Sequence, residues 1–595
     1  MALLNQLLGQ DADAESPAAE PGGAILAVDI GSVYTRAILI DMVEGMYRFV
    51  ARGKTPTTIG EPWNDALVGV YQAIAQISEA TGRQIIDESG DLIVPEADEF
   101  VGIDAFVATA SAGQPLRAVL VGLMPDFSLR SGRRAAESIY LSVAETISLA
   151  DRRTADQQID ALLAADADLV FVVGGTDGGA EEALRKKLDT IFLAYSLMEN
   201  QYRPPLLYAG NRALTGMVHE RGQELGLRVL TADNVRPTLD TEYLNSAQAH
   251  LARLYNEQKS RSTAGIADIV AWTDEGMLPT AHGFGRMVDL LAGLRGRNTL
   301  GIDLGSMATT VVASIDGERY LNVFGQLGMG HSARDILDAI RLDNLTRWLS
   351  VEPAQPDTIL DYVWNKSLFP QTIPTTPEEL ELEYAVAREV IRYAVLSARQ
   401  SWRRVPQRGL LPLFGTILLS GITLTHAPTY GWSILVALDA LLPIGYTRVL
   451  LDPYGVAAAL GALAPRNPQA VVQVLETGAF HDLGAVFSLS GRARQGEVVL
   501  RGSLKVEGSN KPEPFEVRYG TIVALPLAPS ARAELVLQVR RGEIAGIGRR
   551  RRMTVTGGEL GLVIDARGRP WRFPRAPGRR QEMVRRWQQA ITGKG

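Results

Sequence analysis

The chain has 595 residues. That is too many for one hydrophobic core, which stops growing at roughly 250–300 residues, so three or four units are expected. With 46% hydrophobic and 21% charged residues it has the composition of a folded globular protein, and its lack of cysteine excludes disulfides, cysteine-ligated metal centres and a thiol nucleophile. The net charge of −7 hides an asymmetry, because residues 541–595 carry 14 Arg and Lys against 4 Asp and Glu, a basic tail on an acidic body.

The Ala/Glu/Pro/Gly-rich start, 1–23, predicts a disordered lead-in. It has no basic n-region, and no run in the chain approaches the roughly 18–20 apolar residues of a spanning helix, so a cytoplasmic protein without membrane contact is expected. The first strong pattern is LAVDIGSVYTRAIL (26–39), an apolar strand, a tight turn and a second strand. Residues 63–83 predict a helix with Asn64 or Asp65 as N-cap and Gly82 as stop. Strand candidates follow at 106–110, 118–123, 167–175, 205–211 and 228–232, alternating with amphipathic stretches in the α/β manner.

A second copy of the opening pattern stands at LGIDLGSMATTVVAS (300–314). Aligning Asp29 with Asp303 also aligns Gly31 with Gly305, Ser32 with Ser306 and Thr35 with Thr309, which points to an internal duplication. The period is far too long for a solenoid and fits two lobes of one large fold. Thr376, Pro377 and Glu379 form a capping box with proline at its first helical position, opening a helix to about Arg404. GTILLSGITLTHAP (415–428) is a strand ending in a glycine turn, and LDPYGVAAALGAL (451–463) supplies a small-residue helix able to pack closely on a neighbour. Beyond 463–470 the strands become short and alternating, which predicts a small all-β module over 471–578, followed by an Arg-rich helix in 579–595.

A turn with Asp, Gly and a hydroxyl residue between two strands has a definite chemical use. The glycine lets backbone N–H groups approach a phosphate, the hydroxyl adds a donor, and the carboxylate can meet a hydrated Mg²⁺, which needs only one or two such ligands. Two turns from two lobes can clamp a triphosphate. The candidate nucleotide contacts are therefore Gly31, Ser32, Thr35, Gly305, Ser306 and Thr309. Asp29 and Asp303 are the candidate metal-positioning and catalytic residues.

The order of these segments resembles the actin, heat-shock chaperone ATPase and sugar kinase superfamily, which implies that Gly421, in the late glycine turn, is a nucleotide contact bordering the nucleoside. The blocks VDIGSVYTR, TASAGQPLRAVLVGL (109–123), VVGGTDGGAEEAL (172–184), LYAGN (207–211), NVRP (234–237) and LGIDLGSMATT resemble, more closely, the glutamate mutase L (MutL-type) family over about residues 24–463. The resemblance implies a two-lobed actin-like (ribonuclease H-like) ATPase fold, α/β in class, with a first lobe and an inserted α/β region in 24–299 and a second lobe in 300–463. It also implies ATP or ADP with Mg²⁺ as ligands, and an accessory or reactivating role toward an adenosylcobalamin-dependent mutase subunit. The family tends to carry a Gly-Gly pair, then Ala or Thr and an acidic residue at the second turn. Here Ser306, Met307, Ala308 and Thr310 stand in those places, which bears on hydrolysis more than on binding.

VVGGTDGG reads either as a ligand loop, with Asp177 a candidate water-orienting catalytic residue, or as a plain strand–helix connection with Glu181 and Glu182 complementing the helix dipole. The six His residues are scattered and none stands in an Asp-x-His-x-x-Gly spacing, so neither zinc nor a corrinoid ligand is expected from this chain. The arginines at 549–552, 567, 569, 572, 575, 579, 580, 585 and 586, with Trp571, Phe573 and Trp587, read as solvated surface, as a docking site for an acidic protein surface, or as a patch folded back onto the chain's own acidic lobes. The acidity of the whole chain disfavours nucleic acid, and an oligomer is compatible with everything above. Two rival readings are a non-hydrolysing nucleotide-binding scaffold and a small-molecule kinase, the latter lacking an identifiable acceptor-side aspartate.

Overall fold

The computed structural model describes residues 23–274, 276–351, 357–403, 410–509, 511–570 and 573–593. Most of the expected lead-in, the end of the helix expected to reach Arg404, and Trp571 and Arg572 lie outside the described residues. The chain forms two compact units: 1–56, 70–109 and 283–595 in one, 57–69 and 110–282 in the other. Among the described residues no helix is long and apolar enough to cross a membrane.

The first lobe of the larger unit is built on β1 (Ile25–Ile30), β2 (Tyr34–Val43), β3 (Met46–Pro56) and β4 (Ala105–Ala110), in the order β4-β1-β2-β3. Every residue of β1 is buried, as expected of a central strand covered on both faces. The helix predicted over 63–83 spans Ala66–Thr81, and Asp65 caps it by accepting the Leu67 N–H at 2.8 Å.

The smaller unit is an all-parallel sheet of β5 (Leu116–Val121), β6 (Leu141–Ile147), β7 (Leu169–Gly174), β8 (Leu206–Gly210) and β9 (Val229–Thr231), in the order β6-β5-β7-β8-β9. A two-residue strand, β10 (Leu278–Pro279), closes its chain segment. Val119, Val121, Val170 and Val172 pack into one core, and Leu120, Phe171 and Val173 into another on the opposite face. This is why its strands read as unbroken apolar runs.

The second lobe continues the larger unit with β11 (Thr299–Leu304), β12 (Thr309–Ile315), β13 (Glu318–Phe324), β14 (Thr416–Ser420) and β15 (Gly445–Leu451). The capping box at Thr376 forms as expected, opening the helix Pro377–Ala398, which is buried on several sides. The small-residue helix spans Ala457–Leu463 and touches the helix Thr280–Arg295 so closely that a Cβ on Gly461 would lie 1.8 Å from the Gly283 carbonyl oxygen. Only glycine permits that approach.

The C-terminal residues form β16 (His481–Ser488), β17 (Val498–Val506), β18 (Glu513–Arg518), β19 (Ile522–Leu525), β20 (Arg532–Val539), β21 (Arg550–Thr556) and β22 (Leu562–Asp565). Four of them make the additional small sheet, β18-β17-β20-β21, over its own core of Leu500, Leu535 and Leu537. The other three do not stay with it. The second-lobe sheet runs β13-β12-β11-β14-β15-β16-β22-β19, so the change of texture at 463–470 is not a boundary between sheets.

Two expectations for the basic tail are corrected here. Arg567 and Arg569 are each 2% exposed and Trp587 is 5% exposed, so none of them is available to a partner. Arg567 pairs with Asp565 at 2.8 Å and with Asp439, Arg388 pairs with Asp439 at 2.7 Å, and Arg569 pairs with Asp565. Burial alone would raise the Asp565 carboxyl, but Arg567 and Arg569 hold it far below its ordinary value. The terminal helix, Pro577–Thr592, lies on this network: the Trp587 ring faces Arg567 at 4.7 Å and its N–H donates to the Gly520 carbonyl at 2.9 Å. Arg549 to Arg552, Arg575, Arg579, Arg585 and Arg586 remain exposed.

Arg567→Ala strands two buried carboxylates with fewer partners and should cost about 3–5 kcal/mol, read as a lowered urea midpoint. A chain ending at Ala470 lacks the same residue and leaves β15 as a bare edge. It should aggregate on gel filtration, whereas an intact monodisperse product would refute the account of the C-terminal strands.

Candidate functional site

The two Asp-x-Gly-Ser turns repeat each other in three dimensions. In β1–β2 Asp29 pairs with Arg36 and Ile30 with Thr35; in β11–β12 Asp303 pairs with Thr310 and Leu304 with Thr309. The Gly31 N–H donates to the Tyr34 carbonyl at 3.0 Å, and the Gly305 N–H to the Ala308 carbonyl at 3.0 Å. A Cβ on either glycine would sit 2.8 Å from that same carbonyl oxygen, so the turn demands glycine in both copies.

The turns bring carboxylates of both lobes to one place. Asp29 is 6% exposed; its Oδ1 accepts from the Thr109 hydroxyl at 2.7 Å and its Oδ2 faces Arg36 Nη1 at 3.3 Å. Burial, then the negative charge of Asp29, then that of Asp452, push the Asp303 carboxyl up to about 7, while Arg36 and a hydrogen bond from Ser420 oppose the rise. Asp452, 1% exposed, accepts the N–H groups of Val456 at 2.9 Å and Ala457 at 3.0 Å and the Ser420 hydroxyl at 3.3 Å. Burial raises its pKa despite those donors.

A row of cations runs beside the acids. Arg36 stands opposite Asp29 on one side and opposite Lys54 on the other, with Arg52 two residues along from Lys54. Like charges placed directly across a sheet repel, which is a cost unless an anion lies over them. Burial, reinforced by Arg36 and Arg52, lowers Lys54 to about 8, and its ammonium sits 4.0 Å from the centre of the Tyr34 ring. Arg36 also reaches the loop before the small-residue helix, where a Cβ on Gly455 would lie 2.9 Å from its Nε. One guanidinium therefore faces Asp29, acts by its charge on Asp303 and touches that loop.

The remaining expected residues are placed as follows. Gly421 has a φ of 102°, and a Cβ there would meet the Leu304 carbonyl oxygen at 2.1 Å, so the late turn is pressed against the end of β11. Ser32 lies on the first turn, half-buried. Ser306 is engaged: its hydroxyl is 3.0 Å from His331 Nδ1 and accepts the His331 N–H at 3.1 Å. Thr35 and Thr309 correct the expectation of phosphate contact. Both are fully buried, and the Thr309 hydroxyl donates to the Leu327 carbonyl.

Asp177 belongs to the smaller unit. Its Oδ1 accepts the Arg212 N–H at 3.0 Å and the Asn234 side-chain amide at 2.8 Å, while its own N–H donates to the Pro237 carbonyl at 3.0 Å. Its carboxylate fastens the loop after β7 to the NVRP loop. Arg36, Lys54, Ser420, Asp452 and His331 are site residues that the sequence reading did not single out. For Arg36 a signal existed, since a tight turn after Asp29 fixes which residue of β2 comes opposite.

Among the described residues, no set of three or more His, Asp or Glu side chains is placed to hold a metal ion by itself. Two converging carboxylates suit Mg²⁺, which completes its shell with water and phosphate oxygens. The excess negative charge that raises Asp303 is what such a cation would relieve.

The family model described as MutL protein matches residues 25–478. The curated protein MutL of Clostridium tetanomorphum is 24% identical over 387 residues, covering 61% of this chain and 76% of that one. Among solved structures, nucleotide-free acetone carboxylase aligns over 83% of this chain and 80% of its own at 13% identity and a TM-score of 0.30. A glycerol dehydratase reactivase aligns over 75% and 100% at 11% identity and a TM-score of 0.29. These scores are low, and the actin-like α/β fold follows from the duplicated turns and strand order described above.

Because Asp303 has a folded pKa near 7 against 3.8 in the unfolded chain, the native state holds its proton more tightly between those values. That contribution to stability is lost as pH rises from about 4 to 7. Asp303→Asn removes the loss. The melting temperature of the variant minus that of the native chain should climb between about pH 4 and pH 7 and then level, as read by scanning calorimetry.

Proposed function

Because the chain belongs to the MutL protein family, we propose that it is an ATP-binding accessory protein of an adenosylcobalamin-dependent mutase, with Mg·ATP or Mg·ADP held between the lobes of its larger unit. The observation that carries the nucleotide part is the convergence of Asp29 and Asp303, on matching turns, around Arg36. In this reading Gly31, Ser32, Gly305 and Ser306 present donors to phosphate oxygens, Asp29 and Asp303 face the cation, and Arg36 and Lys54 neutralise phosphate charge. Gly421, tight against Leu304, borders the nucleoside side. The mutase partner rests on the family. The cytoplasm is the compartment that fits such a partner.

A second reading, a non-hydrolysing scaffold, is favoured by the second turn. There Thr310 occupies the position that Arg36 holds in the first copy, opposite the aspartate, and Ser306 is already bonded to His331. A nucleotide can be bound by such a turn without an acid to orient water.

Millimolar Mg·ATP or Mg·ADP should raise the melting temperature of the full chain, since ligand that binds only the native state stabilises it by mass action. Asp29→Ala and Arg36→Ala should each weaken that shift at least tenfold in nucleotide concentration. No shift and no calorimetric heat at millimolar nucleotide would sink the proposal. Phosphate release from bound ATP then separates the two readings: steady turnover favours the hydrolytic one, and stoichiometric ATP retained over hours favours the scaffold.

A further inference from the structure

The second-lobe sheet has two ends. Asp303, Ser420 and Asp452 stand at or just beyond the carboxyl ends of β11, β14 and β15. At the amino ends of the same three strands, beside Asn298, Gly415 and Tyr446, lies a separate cavity of about 830 Å³. That is within the size range of small-molecule sites. It is walled on one side by the end of the helix Thr280–Arg295 and on another by residues 545–553 of the C-terminal region.

Two arginines and two aspartates line it. Arg297 and Arg551 make no salt bridge with a carboxylate among the described residues. Of the two acids, Asp289 is paired, at 3.2 Å, with Arg319, which is not part of the lining, and Asp316 stands in the turn after β12, its N–H donating to Asn298 Oδ1 at 2.9 Å. Arg297 is exposed but packed on two sides. Its stem lies along the start of β14, where a Cβ on Gly415 would come 2.5 Å from its Cδ, and its guanidinium sits 5.3 Å from the centre of the Tyr446 ring. Leu413, Ile547 and Met553 give the cavity an apolar wall. Gly296, Gly317 and Gly546 border open space, since a Cβ on any of them would meet nothing within 4 Å.

We infer that this cavity is a second ligand site, distinct from the nucleotide site, for a small organic anion: a carboxylate or phosphate group held by Arg297 and Arg551, on an apolar body lying against Tyr446, Leu413 and Ile547. Arginine suits this role because its planar fork donates to two oxygens at once and stacks on aromatic rings. An anion bound here would join the helix end, the base of the second-lobe sheet and β21.

The test is isothermal titration of the full chain with phenyl phosphate and, separately, with phenylacetate. Saturable binding of either probe below about 1 mM, weakened at least tenfold by Arg297→Ala and by Arg551→Ala, is the expected result; tenfold corresponds to losing about 1.4 kcal/mol. The probe that binds more tightly identifies the anionic group as phosphate or carboxylate. Arg501→Ala, an arginine paired with Glu516 on the C-terminal sheet, should leave binding unchanged. The Mg·ATP melting shift should also survive both cavity variants, so the outcome does not depend on the nucleotide reading. Absence of heat with both probes up to about 10 mM, or equal binding by the doubly substituted chain, would overturn the inference.

Discussion

Asp29, Asp303 and Asp452 come together where two lobes meet, and so much negative charge at low exposure repels itself. Arg36 is the permanent countercharge among them, and it can play that part only because the register of β1 and β2 puts it opposite Asp29. The rest of the site follows from keeping this arrangement rigid. The N–H groups of Val456 and Ala457 hold Asp452, the Thr109 hydroxyl holds Asp29, and Ser420 lies between Asp303 and Asp452. A doubly charged cation and a polyphosphate would satisfy both sides at once, the first relieving the acids and the second covering Arg36 and Lys54.

Much of this was legible in the residues. The duplicated Asp-x-Gly-Ser pattern fixed the fold class and both central aspartates, because a tight turn between two buried strands leaves a dense local signature. The capping box at Thr376 and the parallel strands of the smaller unit were equally plain, being governed by neighbours in the chain. Asp452 and Ser420 were not, since their meaning comes from the parallel pairing of β11, β14 and β15, which no local pattern encodes. Thr35 and Thr309 misled for a related reason: hydroxyl residues beside a glycine turn look like ligands until the packing of the sheet buries them. β6, most of whose residues are neither fully buried nor exposed, lacked any alternation to read.

The C-terminal arginines carry a parallel lesson. Composition alone marked them as surface, yet Arg567 and Arg569 are among the least exposed residues, because their carboxylate partners come from Asp565 nearby and from Asp439 on a helix more than a hundred residues earlier. In the smaller unit the same principle explains why GGTDGG and NVRP both stand out. Asn234 donates to the Gly175 carbonyl at 2.9 Å and to Asp177, so each loop is the other's scaffold. A loop held by side chains of another loop tolerates little change in either.

The second-lobe sheet has a temporal consequence. β11 and β14 are central to it, yet β16, β19 and β22 that extend it toward one edge, and Arg567, the second arginine on Asp439, all follow them in the chain. A ribosome releasing this chain in order would present the lobe with an unpaired edge, first at β15 and then at β16, and with Asp439 paired by Arg388 alone, until the segment through Arg567 has emerged. Non-local pairing of that kind raises contact order and slows folding, and transiently open edges invite association with other chains. The additional sheet β18-β17-β20-β21, emerging between β16 and β22, therefore sits within the closing step itself, so that the sheet of the lobe can be finished only once β22 has emerged.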